Sequence, residues 1–162
     1  MLTTLIRPRL VLLAAACLLI AAAPSFANER GRQGAYRMQT IAIQANVEAT
    51  DLLALMRRTM REAAAAGATE QELKRLASSL QKQAKEFIKP HMALLSPYQA
   101  EVMRALKAGP SDGRKEAADM VKRATAATRG ELSIITQSLQ NAVREELGVA
   151  VAQIRAQQQR RR

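Results

Sequence analysis

Few residues in this chain are able to do chemistry. It has one histidine, one cysteine and no tryptophan, and no glycine-rich loop follows a strand-like run, so the convergent groups that catalysis requires are missing. His91 beside Met92, with Met38, Met56, Met60, Met103 and Met120, has the imidazole and thioether chemistry that suits cuprous ions. The same methionines fall at helical spacing, so gap-filling in a helical core accounts for them without a metal. Glu145 and Glu146 are adjacent and on a helix diverge by about 100°, a poor arrangement for sharing a proton or a metal. The Glu-x-x-His pairs of dicarboxylate iron bundles do not occur. No enzyme, no cofactor and no metal site is expected.

Cys17 lies in a segment with a different purpose. Arg7 and Arg9 precede an apolar run from Leu10 to Ala23, followed by Pro24-Ser25-Phe26-Ala27, the order of a secretory signal peptide. The run is shorter than the roughly 20 residues a bilayer-spanning helix needs. Cleavage is expected after Ala27, with the periplasm as destination. Small residues precede Cys17, but Leu18-Leu19-Ile20 still follow it, whereas a lipidated cysteine normally ends the apolar run; lipid attachment is not expected.

Residues 28–162 then form one domain-sized chain without cysteine. Loss of Arg7 and Arg9 leaves 23 basic against 14 acidic residues, a charge of +9. A field of that sign attracts anionic lipid, lipopolysaccharide, acidic polypeptide segments or envelope polymers. Nucleic acid is not an expected partner, because export removes the chain from it and only Tyr36, Phe87 and Tyr98 would be available for stacking.

The elements positioning these residues read as helices throughout. Met38, Ile41, Ala45, Ala49, Leu52, Met56 and Met60 make one stripe from Tyr36 to Ala66, with Gly67 placed to end it. Thr69 and Glu72 form a capping box, opening a second helix striped by Leu73, Leu76, Leu80, Ala84 and Phe87 that Pro90 stops or kinks. Ser96-Pro97-Tyr98-Gln99 reads as a third helix start: serine as N-cap, proline at the first helical position, glutamine at the capping-box position. That short helix carries Val102, Met103 and Leu106 to Ala108, and 109–113 is a loop. From Arg114 to about Gln158 a stripe runs through Ala117, Val121, Ala124, Thr128, Leu132, Ile135, Leu139, Val143, Leu147, Ala150 and Ile154. As one helix it would reach on the order of 65 Å, so it either breaks near Thr128–Glu131 or projects to pair with another chain.

The expected fold is therefore all-α: about four amphipathic helices in an elongated hairpin or bundle, with coiled-coil-like packing and a homodimer as one assembly. Its parts are a signal peptide at 1–27, a disordered basic segment at 28–34, a helical domain at 35–156 and a basic disordered tail at 157–162.

Leu95, Ser96, Pro97, Tyr98 and Gln99, with serine in place of threonine, resemble the Leu-Thr-x-x-Gln signature of the Spy and CpxP family of envelope-stress proteins. The second copy usual in that family is displaced here, since in Leu132-Ser133-Ile134-Ile135-Thr136-Gln137 the glutamine falls one place late. The resemblance implies an exported, ATP-independent chaperone holding unfolded envelope proteins on a basic and apolar concave helical surface. It transfers no client-binding residue. A structural protein tethered to anionic lipid or polymer is the alternative, and a metal-stress sensor the third reading.

Overall fold

The structure, a computed structural model, describes residues 26–160. The apolar run, Cys17 and the last two arginines lie outside the described residues. Three helices follow one another: α1 (Phe26–Ala65), α2 (Glu70–Ala108) and α3 (Arg114–Arg160). At 1.5 Å per residue they extend about 60, 60 and 70 Å. Two short loops reverse the chain, so α1 and α2 are antiparallel and α3 returns alongside α1, packing against both.

The expected stripes become the core. Met38, Ala45, Met56, Met60, Leu73, Ala84, Leu95, Leu132, Leu139 and Val143 are buried in one continuous cluster along the rod. Met38, Met56 and Met60 are among the largest fully buried side chains, which places them in packing rather than on an apolar surface.

The turn chemistry at the first reversal is as the sequence reads. Gly67 has φ +84°, the left-handed region where glycine carries no Cβ penalty. The Ala68 N–H donates to the Ala63 carbonyl and the Gly67 N–H to the Ala64 carbonyl, both at 3.1 Å, the paired bonds of a Schellman motif. Thr69 then caps α2: its hydroxyl accepts from the Glu72 N–H at 3.3 Å and its own N–H donates to the Glu72 carboxylate at 2.7 Å.

Three expectations are corrected. Among the described residues there are three helices rather than four, because α2 runs unbroken through Pro90 and Pro97. The two prolines are seven residues apart, hence on one helical face, and both are exposed. The carbonyls of Glu86 and Ala93 that they leave without a donor belong to residues that are themselves exposed, so the lost bonds fall on the solvent side of the helix, where they cost least. Ser96 consequently is not an N-cap, and Leu95, Ser96, Pro97 and Gln99 sit mid-helix. Leu95 is fully buried, Gln99 is half-buried, and the exposed Ser96 hydroxyl accepts from the Arg129 guanidinium of α3 at 3.3 Å.

The first helix also starts earlier than Tyr36, so residues 28–34 are helical. Its opening turns are held by close approach: a Cβ at Gly31 would lie 2.8 Å from the Ala117 Cβ, and one at Gly34 would lie 2.7 Å from a Val102 methyl. Ala27 packs with Leu106 and Ala117 in a small second cluster. Finally, α3 is continuous through Gly130, and residues 157–160 belong to it. Its length matches a rod whose other helices are nearly as long.

Candidate functional site

An open groove of about 1030 Å³ lies between the C-terminal halves of α1 and α3. Leu53, Met60, Ala64, Ala142, Val149 and Ile154 supply its apolar lining. Glu146 of α3 accepts from Arg61 at 2.7 Å and lies 3.5 Å from Arg57, clamping the two helices across it. The pairing raises the Arg61 pKa further above its ordinary value, chiefly through that hydrogen bond. Glu145 lines the groove without joining the clamp, as the divergence of adjacent helical residues requires.

His91 is largely buried between α1 and α2. Its Nε2 lies 3.3 Å from a Glu48 carboxylate oxygen and its Nδ1 3.3 Å from the Phe87 carbonyl, with the Phe87 ring tilted against it at 5.2 Å. An imidazolium donates both bonds, whereas a neutral ring donates one. The ring is thus engaged by a carboxylate and a carbonyl. Met38, Met56 and Met60 are spread along the core, and no group of three or more His, Cys, Asp or Glu able to hold a metal gathers among the described residues.

What sequence reasoning missed is how the surface is partitioned. The exposed large hydrophobics among the described residues are Tyr36, Ile43, Val47, Leu55, Leu94, Ile134 and Val149. Tyr36, Ile43 and Val47 fall within an arc of about 40° on α1, opposite its buried stripe. Leu55 lies two turns from Glu48, and Leu94 one turn from His91, so both flank the seam between α1 and α2. Ile134 continues the Ser138, Asn141 and Glu145 row that lines the α1–α3 groove, and Val149 lines it as well. All seven therefore belong to the side of the rod centred on α1. The signal was present as a second stripe, Tyr36, Ile43 and Val47 at spacings of seven and four.

The opposite side, along the seam of α2 and α3, is basic. Arg129 to Ser96 and Arg155 to Glu70 mark that seam, the latter at 3.1 Å. By helical position Lys74, Lys85, Lys89 and Lys107 of α2 border it. Lys115, Lys122, Arg129, Arg144 and Arg155 do so from α3. Three carboxylates accompany them: Glu70 with Lys74 and Arg155, Glu86 with Lys89, and Asp119 with Lys122. Lys74 first and Arg155 second hold the Glu70 carboxyl below its ordinary pKa. Lys85, Lys107, Lys115, Arg129 and Arg144 have no carboxylate within 4 Å among the described residues. None of the described helices is long and apolar enough to cross a membrane.

The fold and surface define an antiparallel three-helix rod with exposed large hydrophobics on the α1 side and a basic opposite side. No family model, curated protein or solved structure matches the chain.

Proposed function

We propose that this protein is an ATP-independent periplasmic chaperone that holds unfolded envelope proteins on its α1 side. The observation that carries this reading is the stripe of Tyr36, Ile43 and Val47, three large side chains left in water on the helix face directly opposite a well-filled core. Burial of such side chains is worth roughly 1.5–3 kcal/mol each, so leaving three aligned ones exposed favours a partner that covers them. The stripe is flanked by Arg37 and Arg58 as well as Glu48 and Asp51. Such a mixed rim keeps the surface soluble and makes no demand for a single client sequence. Weak, spread-out apolar contact suits an unfolded chain better than a folded partner, which would present one complementary surface. The family resemblance at Leu95–Gln99 points to the same class, and the export signal to the same compartment.

The direct test is site-specific photo-crosslinking to a chemically unfolded client. A photoreactive residue at Val47 should capture the client, and one at Lys82, on the far side of α2, should not. Equal capture at both positions, or none at Val47, removes the α1 side as the holding surface.

A further inference from the structure

We infer that the seam of α2 and α3 is a docking surface for an anionic lipid bilayer, on which the rod lies flat with α1 turned away. This goes beyond the chaperone reading and stands without it. Lys115 and Arg155 border the seam near its two ends, separated by 40 residues of α3 or about 60 Å. Lys85 and Arg129 border the stretch between them. Such a row on two long, side-by-side helices is extended and open, the shape of a surface rather than of a pocket for one small anion.

Two observations select a bilayer over other polyanions. At one end of the seam apolar surface lies between the charged groups: Leu147, Val151 and Ala152 line a groove of about 510 Å³ together with Glu70, Lys74, Arg144 and Arg155. Lysine and arginine stems laid along apolar surface, with their charges at the rim, match an interface where phosphates overlie acyl chains. Second, among the described residues no aromatic side chain interleaves the row. Phe87 stacks on His91 and Tyr98 sits under Arg37 of α1, so the stacking platforms that single-stranded nucleic acid uses are on the other side of α2. The opposition of the two sides has a consequence: lipid binding leaves the Tyr36, Ile43 and Val47 stripe facing the compartment.

The test is flotation of residues 28–162 with vesicles of phosphatidylglycerol in phosphatidylcholine, against phosphatidylcholine alone, at low and physiological salt. Lys115→Gln/Arg129→Gln removes two cations that have no carboxylate partner. Arg37→Gln/Arg58→Gln removes the same charge from the α1 side, about two helix diameters away and beyond the screening length of about 10 Å. Circular dichroism confirms that both variants are folded. Binding should require phosphatidylglycerol and fall on the order of tenfold or more in the seam variant, since each basic residue near such a surface contributes about fivefold. The α1 variant should stay within about twofold of the parent. Equal losses in both variants, binding independent of phosphatidylglycerol, or binding to soluble polyphosphate with none to vesicles would each overturn the proposal.

Discussion

Replacing glycine by alanine should have opposite signs at the two ends of this rod. In an unobstructed helix interior the change stabilises by about 1 kcal/mol, because alanine loses less backbone freedom on folding. At Gly148 a new Cβ meets nothing within 4 Å, so that gain should appear in full. At Gly31 the same atom would lie 2.8 Å from the Ala117 Cβ and 3.0 Å from its Cα, against an ordinary carbon–carbon separation of about 3.5–4.0 Å. One of those neighbours is backbone, so relief requires α1 and α3 to move apart at this close contact. Overpacking of this kind costs about 1–3 kcal/mol, which exceeds the propensity gain. Gly31→Ala should therefore be net destabilising by about 1 kcal/mol, and the two variants should differ by about 2 kcal/mol. Urea unfolding followed by circular dichroism measures this directly. In thermal melts the same difference should appear as several degrees. If Gly31→Ala stabilises as much as Gly148→Ala, the first turns of α1 do not pack on α3 and the helix begins nearer Tyr36.

Thr69→Ala should cost about 1 kcal/mol through loss of the α2 cap, whereas Ser96→Ala, in an exposed mid-helix position, should change stability by less than about 0.5 kcal/mol in the same unfolding assay. A larger loss at Ser96 would restore it as a helix start. Thr128 is 1% exposed and its hydroxyl has no partner among the described residues, while the Thr125 hydroxyl donates to the Val121 carbonyl at 2.8 Å. Thr128→Val should thus stabilise by about 1 kcal/mol and Thr125→Val should not, as read by denaturant midpoints. Burial raises the Glu131 pKa. Its effect on stability is therefore fullest at low pH and is lost as pH rises from the unfolded value through the folded one. Glu131→Gln should accordingly raise the melting temperature at neutral pH and not below about pH 4; an unchanged difference across that range would contradict the assignment.

The helical fold was legible because the apolar stripes repeat at three and four over long stretches, and the first turn because Gly67, Thr69 and Glu72 carry local chemistry that tertiary packing does not override. The second turn was legible at Gly109–Gly113 for the same reason. Pro90 and Pro97 misled because proline is a local breaker only when the carbonyls it frees are buried or the helix lacks outside support. Here both face water and Leu95, between them, anchors α2 in the core. Residues 28–34 misled because a polar, basic segment reads as unordered, which hides the small residues Gly31 and Gly34 within it. Their spacing with Ala27, Ala35 and Met38 is that of a helix face made small for close packing. The α1 stripe was obscured because Met38 to Met60 already explained that helix, and one sequence shows only which faces are apolar, not which one the bundle leaves outside. The basic seam needed the antiparallel pairing of α2 with α3, which no single helix encodes.

Suppression of aggregation by residues 28–162, without nucleotide, tests the central claim most directly. Light scattering from two unrelated unfolded clients should fall at near-stoichiometric ratios for the parent, and that protection should be largely lost in Tyr36→Ser/Ile43→Ser/Val47→Ser. Those positions are exposed, so the variant should keep its helical signal and its melting temperature. Unchanged scattering at a large excess of the parent, or full protection by the triple variant, would contradict the account.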